Sequence, residues 1–308
     1  MEKEYLLETN NLCKTYGKQK IVEDINMHIE KGKIYGLLGR NGAGKTSIMK
    51  MILGLTTISS GEIKIFGESI KENPRGIYSR LGSLIEAPGF YPSLSAYENL
   101  KIFSMLKGTT KKNAIKDALD LVNLSYQDKK PFSSYSLGMK QRLGIANALM
   151  NEPEFLILDE PTNGLDPIGI AELREFIRNL SEKEGKTILI SSHQLSEMEQ
   201  LVDTIGVLHE TKLVEECDMS ELAKHNRRYI KVQVSDVNKA CMLMEQKFGI
   251  HNYKVMQSDI IRIYDFSKEP QAVNRMFLEN ELEVSQLGIA GENLEEHFKM
   301  ITGGVGIA

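Results

Sequence analysis

The sequence predicts a largely parallel α/β domain followed by a smaller α+β domain, and two observations support this prediction. From Tyr5 to about Ser220, short apolar segments alternate with helical patterns, as is typical of a parallel sheet covered by helices. From about Arg228 the spacing of apolar residues changes, beginning with the alternation of apolar and polar residues typical of a strand over Tyr229–Ser235. We therefore predict one domain over 5–220 and an accessory domain over 228–308.

The composition and length of the chain are consistent with a globular protein of two domains. The chain has 308 residues, of which 41% are hydrophobic and 26% are charged. This balance is that of an ordinary globular protein, and at about 150 residues per domain the length fits two domains. The net charge of −4 argues against nucleic acid as a partner.

The first domain is built from a few strong patterns. A buried strand runs into a glycine-rich turn and then a helix, two further apolar strands follow, and one segment carries an amphipathic helical stripe. In chain order these are Ile34–Leu38, Gly39–Gly44, Lys45–Leu53, the stripe over Lys111–Leu124, Phe155–Leu158 and Thr187–Ile190.

The second domain is predicted in the order β-α-β-β-α-β, which is a ferredoxin-like arrangement. Its elements are Tyr229–Ser235, Val237–Phe248, Asn252–Met256, Ile260–Asp265, Pro270–Asn280 and Glu283–Leu287, with a final helix over Asn293–Met300. No catalytic constellation is visible there. A scaffold for dimerisation or docking is the favoured interpretation, with a ligand-sensing domain as the alternative.

No membrane span or disulfide framework is predicted. The longest stretches without a charged residue, Met51–Gly61 and Ala87–Tyr97, have 11 residues each, whereas a spanning helix needs about 20. The acidic start lacks the apolar region of a signal peptide. Cys13, Cys217 and Cys241 have no metal-type spacing and are expected as thiols in a reducing compartment.

The glycine-rich turn carries the first chemical motif. Gly39–Thr46 matches G-x-x-x-x-G-K-[ST] between a strand and a helix, the context in which backbone N–H groups curl around phosphate oxygens. Lys45 is predicted to reach the β- and γ-phosphates, and Thr46 to ligate Mg²⁺. This segment predicts a nucleoside triphosphate site.

Carboxylates and a histidine follow two later strands. Asp159 and Glu160 end the strand Phe155–Leu158, where Asp159 would hold Mg²⁺ and Glu160 would orient or deprotonate water. Ser136 is a natural N-cap, so the helix it begins is either an anion site or a plain capped core helix. His193 follows a third strand, where it either touches a γ-phosphate or is structural.

Together these motifs resemble the ATP-binding cassette (ABC) ATPases over about residues 5–220. The order of motifs carries the resemblance: Walker A at Gly39–Thr46, the signature at Tyr135–Met139, Walker B at Phe155–Glu160, the D-loop at Gly164–Pro167 and the switch histidine His193. It implies a RecA-like core, an antiparallel β subdomain and a helical subdomain.

The resemblance also implies a set of site residues. Tyr16 would stack on adenine, with an ordinary surface tyrosine as the alternative. Thr46, Asp159 and Glu86 would ligate Mg²⁺, and Glu160, His193 and Glu86 would act in hydrolysis. The implied ATP-binding residues are Tyr16, Gly39, Arg40, Asn41, Gly42, Ala43, Gly44, Lys45, Thr46, Ser47, Ser136, Gly138 and Asp166.

Two departures point to one branch of the family. The usual Leu-Ser-Gly-Gly-Gln signature is here Tyr135-Ser136-Leu137-Gly138-Met139, and Glu86 stands where the family has Gln. Both departures, and the ending near Glu295–Gly303, resemble cassettes that protect bacteria against bacitracin-like peptides and lantibiotics. Asp166 would communicate across a homodimer that sandwiches two ATP molecules.

The resemblance implies an exporter subunit at the cytoplasmic face of the cell membrane. A separate permease would dock on the region between Glu86 and Tyr135. Three alternatives stay open: an exporter for another cargo (drug, lipid or ion), a soluble ABC ATPase without a transport role, and a P-loop kinase. A kinase would not explain the signature, the D-loop and His193 together.

Overall fold

A computed structural model of the chain describes residues 3–86, 89–125, 129–225, 228–256 and 258–291, together with Phe298, Ile301 and Thr302. Two compact units are present, one extending to Met219 and one beginning at Ser220. None of the helices in this described part of the chain has both the length and the apolar character needed to cross a membrane.

A six-stranded sheet forms the centre of the first unit. Neighbouring strands are parallel except for the last pair, which is antiparallel. In spatial order the strands are β7 (Leu81–Leu84), β8 (Phe155–Leu158), β9 (Thr187–Ser192), β4 (Ile34–Gly39), β10 (Thr204–His209) and β11 (Lys212–Asp218). Every residue of β4, β8 and β9 is buried, because a parallel sheet is covered on both faces. The three strands predicted from apolar runs are confirmed.

This strand order brings distant motifs to one edge. The carboxyl ends of parallel strands meet at the same side of a sheet, where ligands bind in open α/β folds. Gly39 ends β4, His193 follows β9, Asp159 follows β8, and Glu86 lies two residues beyond β7. The sheet therefore positions four motifs that are far apart in the chain.

A second, antiparallel sheet packs around the first helix. Its strands are β1 (Tyr5–Tyr16), β2 (Gln19–Ile25), β3 (His28–Glu30), β5 (Ser60–Ile65) and β6 (Glu68–Ser69). Leu12, Ile25 and Ile63 of this sheet share one apolar core with Ile48 and Met49. This sheet is the expected antiparallel β subdomain.

Helices complete the unit. They are α1 (Lys45–Ile52), α2 (Pro74–Tyr78), α3 (Ala96–Lys107), α4 (Ala114–Leu121), α5 (Leu137–Leu149), α6 (Pro167–Glu182) and α7 (Leu195–Glu199). The stripe predicted over Lys111–Leu124 is a shorter helix, α4, although Ala118, Leu119 and Val122 are buried as expected. Asn113 precedes α4 with non-helical backbone, and Asn123 at φ +55° ends it in the left-handed conformation.

The second unit has its own sheet and core. Its elements are β12 (Arg228–Val234), α9 (Val237–Leu243) continued by a π-helical turn (Met244–Phe248), β13 (Tyr253–Val255), β14 (Ile260–Ile263), α10 (Pro270–Glu279) and β15 (Val284–Gly291), with α8 (Met219–His225) at the boundary. All sheet pairs are antiparallel, in the order β13-β14-β12-β15. The strands pack on the helices through a core that includes Ile230, Val232, Ile261, Val273 and Phe277. Except for Phe298, the helix predicted over 293–300 lies outside the described residues.

Candidate nucleotide-binding site

The glycine-rich loop Gly39–Gly44 connects β4 to α1, and its backbone packs closely against neighbouring segments. Gly44, at φ +108°, is the N-cap of α1, and a Cβ there would lie 2.6 Å from Val22 Cγ1. A Cβ on Gly39 would lie 2.7 Å from the Leu208 carbonyl oxygen. Larger side chains are excluded at both positions, so the backbone of this loop packs closely against its neighbours, as glycine permits.

The start of α1 suits an anion. No side chain caps its N-terminus, and its first turn contains no acidic residue. The first N–H groups of a helix have no partner within the helix, and the helix dipole makes them attractive to phosphate. The middle of the loop is exposed at Arg40, Asn41 and Gly42. Ala43 N–H donates a hydrogen bond to Arg40 O at 3.1 Å. Ser47 is half-buried on α1.

Lys45 lies inside this loop. Its side chain is buried, and Nζ donates to the carbonyl oxygens of Gly39 at 2.6 Å and of Arg40 at 3.3 Å. The same Nζ lies 3.1 Å from Glu160 Oε1. The ammonium group is therefore held at the loop by two carbonyl oxygens and one carboxylate.

A hydrogen-bonded chain joins the ends of three segments. Thr46 Oγ1 donates to Asp159 Oδ2 at 2.8 Å, and Ser191 Oγ donates to Asp159 Oδ1 at 2.6 Å. Ser191 Oγ also accepts from Glu160 N–H at 2.9 Å. Each oxygen of Asp159 accepts from a hydroxyl group, which fixes the orientation of this carboxylate.

Glu160 and His193 are in direct contact. His193 Nδ1 lies 2.7 Å from Glu160 Oε2, and the Glu160 side chain is 20% exposed. Glu160 also has a left-handed backbone, at φ +47°, which is uncommon for a residue other than glycine. The turn after β8 aims its carboxylate between Lys45 and His193.

Glu86 contacts a residue that was not predicted. Lys50 Nζ, one turn after Thr46 on α1, donates to Glu86 Oε1 at 2.6 Å. This hydrogen bond raises the pKa of Lys50 against the opposing effect of desolvation, and the charges of Glu86 and Asp159 raise it further. Lys50 and Ser191 are the two site residues that sequence reasoning missed. Ser191 sits at the end of a predicted strand beside His193, and that position was the available signal.

Tyr16 is the last residue of β1. It is 55% exposed, its hydroxyl lies 3.1 Å from Thr56 Oγ1, and Lys14 Nζ lies 4.5 Å from the centre of its ring. An exposed ring that is anchored at its hydroxyl end can present a flat face to a base.

The signature residues line a different groove. Ser136 caps α5 by accepting from Met139 N–H at 3.3 Å, as predicted. Asp166 caps α6 by accepting from Gly169 N–H at 2.8 Å. The groove between these helix starts is lined by residues of two segments, 136–142 and 164–173, and includes Gly138. The signature and the D-loop thus share a groove that Lys45 does not line.

The residues present fit a magnesium nucleotide. The glycine-rich loop, the uncapped helix start and the buried Lys45 suit a triphosphate. Thr46 and Asp159 offer the hard oxygen ligands that Mg²⁺ takes, usually alongside substrate phosphates. Within the described residues there is no group of three His, Cys, Asp or Glu that could hold a metal alone.

The fold and this site define an ATP-binding cassette, and comparisons with known proteins agree. The family model described as ABC transporter matches residues 22–163. The bacitracin transport ATP-binding protein BcrA of Enterococcus faecalis is 52% identical over 99% of both chains. The lantibiotic transport ATP-binding protein SrtF of Streptococcus pyogenes is 50% identical over 70% of this chain and 93% of its own. The chain belongs to the family of ABC transporter ATP-binding proteins.

A solved structure supports the same family. The structure of the ATP-binding subunit of an ABC transporter superposes with a TM-score of 0.63 at 30% identity, covering 71% of this chain and 92% of that chain. The chain is thus an ABC ATPase, homologous to ATP-binding proteins of bacitracin and lantibiotic transport.

Proposed function

We propose that this protein hydrolyses ATP to drive the export of a bacitracin-like or lantibiotic peptide through a separate membrane permease, giving the cell immunity to that peptide. The observation that carries the proposal is the 52% identity to BcrA over 99% of both chains. The match includes the accessory unit as well as the cassette, which favours a shared task for the whole chain.

ATP would bind between the phosphate loop and Tyr16. Lys45 would exchange its contact with Glu160 for the β- and γ-phosphates, and the loop N–H groups from Gly39 to Ser47 would hold their oxygens. The Tyr16 ring would stack on the adenine. The distances at Lys45 support this step, because its Nζ already lies within hydrogen-bond distance of the loop carbonyls.

Thr46 and Asp159 would hold Mg²⁺, with Glu86 as a further ligand. When bound, this ion would neutralise charge that develops on the phosphate oxygens. Ser191 would keep the Asp159 carboxylate in place through the 2.6 Å hydrogen bond that it donates, because partners of a metal ligand fix its orientation.

Glu160 would act on the attacking water. Once Lys45 moves to the phosphates, Glu160 is left with His193 and its own N–H contact to Ser191. Its carboxylate can then accept a proton from water, and His193 would stabilise the transferring phosphoryl group. The contact between Glu160 and His193 supports a joint role for these two side chains.

The catalytic unit would be a homodimer. Ser136 and Gly138 line a groove with Asp166 and not with Lys45, so one chain would not supply both halves of a nucleotide site. A two-fold arrangement would bring Ser136 and Gly138 of one copy to the Lys45 loop of the other, with Asp166 at the junction.

We further infer that residues 5–220 are the ATPase domain and residues 228–308 a ferredoxin-like accessory domain. The β-α-β-β-α-β order and the central position of β12 and β14 in their sheet support the second assignment. The protein would act at the cytoplasmic face of the membrane, where the permease contacts the region between Glu86 and Tyr135.

A protection assay tests this function. The chain would be expressed with its neighbouring membrane subunits in a sensitive bacterium and challenged with a panel of lantibiotics and bacitracin-like peptides. We expect protection against at least one peptide, lost in Lys45→Ala and kept in Lys31→Ala, whose ammonium pairs with Glu4 on the surface. Growth inhibition that is equal with intact and Lys45→Ala chains for every peptide would reject peptide export and leave another cargo.

A further inference from the structure

Five charged side chains gather at the carboxyl edge of the central sheet. Three are carboxylates: Asp159, Glu160 and Glu86. Two are ammonium groups: Lys45, which lies 3.1 Å from Glu160, and Lys50, which lies 2.6 Å from Glu86. Asp159 takes its hydrogen bonds from the hydroxyls of Thr46 and Ser191. Lys50 is the member of this group to which the proposed mechanism gives no part.

The fold brings Lys50 to the edge where β7 and β8 end. Lys50 follows Thr46 by four residues on α1, so both side chains lie on the same face of the helix. Glu86 and Asp159 follow the adjacent strands β7 and β8, whose ends are joined by a 2.9 Å hydrogen bond from Asp159 N–H to Leu84 O. Lys50 therefore lies within hydrogen-bond distance of Glu86 and on the helix face that carries Thr46, the hydrogen-bond partner of Asp159.

The position of Glu86 depends on an uncommon backbone conformation. Its φ of +59° is a left-handed conformation that a glutamate adopts only at a cost. The turn after β7 thus holds a negative charge at the rim of a site built for a polyanion. A carboxylate in that position repels a triphosphate unless a cation offsets it.

We propose that Lys50 is the counter-ion of Glu86 at the rim of the nucleotide site, a positioning residue whose charge lets the triphosphate approach a carboxylate-lined edge. The inference rests on the proposed function, because it assumes that ATP binds at the Lys45 loop. Lys50 acts through Glu86, and when no metal ion is bound at Glu86 the loss of Lys50 leaves an uncompensated carboxylate beside the nucleotide.

A double-mutant cycle on nucleotide affinity tests the role. ATP would be titrated by calorimetry in EDTA, since the chain contains no tryptophan for intrinsic fluorescence and the readout must not depend on metal or turnover. We expect Lys50→Gln to weaken ATP binding by about 3- to 10-fold at low salt. Lys50→Arg should stay within about 2-fold of the unmodified protein, because it keeps the charge.

The Glu86→Gln background distinguishes two roles for Lys50, a counter-ion of Glu86 and a direct ligand of the phosphates. In the Glu86→Gln background, Lys50→Gln should change the affinity by less than about 2-fold, because there is no carboxylate left to neutralise. The effect should also shrink in 1 M salt, where the screening length falls to about 3 Å. Lys31→Gln, which breaks an exposed ion pair elsewhere, should leave ATP affinity unchanged.

Three results would overturn this inference alone. An equal loss from Lys50→Gln in both backgrounds would make Lys50 a direct phosphate ligand. No loss in either background would make the pair an incidental surface contact. A Lys50→Arg variant as weak as Lys50→Gln would indicate a packing role. An unmodified protein that binds no ATP would reject the proposed function as well, whereas the other outcomes reject this inference alone.

Discussion

At the residue scale, Ser191 joins two groups that do different chemistry. Its hydroxyl donates to the Asp159 carboxylate and accepts from the Glu160 N–H, and its side chain is fully buried. One oxygen atom therefore sets both the orientation of the proposed metal ligand and the path of the backbone that carries the proposed base. Small displacements of either group would separate the water from the phosphate it attacks.

We expect Ser191→Ala to lower the kcat for ATP hydrolysis by about 10- to 100-fold, the usual cost of removing a partner of a metal ligand. Because a buried N–H also loses its acceptor, the free energy of unfolding should fall by about 1–3 kcal/mol. Steady-state phosphate release and urea unfolding would measure the two effects.

Ser192→Ala is the matched control for Ser191→Ala. Ser192 is the next residue of β9, is equally buried, and accepts from Gln194 N–H at 2.9 Å. Its loss should cost comparable stability with kcat within about 2-fold. Equal losses of kcat in the two variants would show that Ser191 matters only for folding.

Local motifs could predict candidate site residues, whereas contacts that are set by sheet order were harder to predict. Four candidates lie in short motifs that follow apolar strands: Lys45, Thr46, Asp159 and Glu160. Such motifs can be interpreted from the order of residues in the chain, without knowledge of the fold. Ser191 and Lys50 belong to the site because β9 lies next to β8 and because α1 faces the end of β7. Such proximity follows from strand order, which one sequence does not encode in any short window.

At the element scale, β7 illustrates how tightly a strand can pack on a helix. A Cβ on Gly82 of β7 would lie 2.4 Å from Ala148 O of α5 and 2.8 Å from Pro153 Cγ. The backbones of strand and helix approach this closely because glycine has no side chain. β7 leads directly to Glu86, so this packing also fixes the rim of the site.

We expect Gly82→Ala to lower the free energy of unfolding by about 1–3 kcal/mol through overpacking, measured from the urea midpoint. Gly288→Ala on β15 is the control, because a Cβ there meets nothing within 4 Å. It should leave the midpoint nearly unchanged. A Gly82→Ala protein as stable as Gly288→Ala would mean that α5 can shift away from the sheet at little cost.

Element types were more predictable than element ends. The apolar runs of β4, β8 and β9 fix their positions because a buried parallel strand needs an uninterrupted run. The end of α4 depended on the left-handed backbone of Asn123, which the helical stripe does not reveal. The π-helical turn Met244–Phe248 was predicted as ordinary helix, because a single wider turn leaves the amphipathic pattern almost unchanged.

At the scale of the whole molecule, each unit has its own apolar core, and the proposed catalysis needs two copies of the chain. The groove that holds Ser136 and Asp166 is lined by no residue of the glycine-rich loop Gly39–Gly44. Ile168, at the start of α6, is 70% exposed, and Leu137, at the start of α5, is 46% exposed. Apolar side chains at the mouth of this groove suit a surface that is covered by a second copy when ATP is bound.

We expect Glu160→Gln to form an ATP-dependent dimer, visible by light scattering as twice the mass of one chain. The substitution removes the proposed base while it keeps the volume of the side chain, so ATP stays bound between the two copies instead of being hydrolysed. Adding Lys45→Ala to Glu160→Gln should abolish the dimer, because the triphosphate then has no ammonium group at the loop. If Glu160→Gln instead stays monomeric at saturating ATP, the nucleotide does not bridge two chains, and the groove at Ser136 serves another purpose.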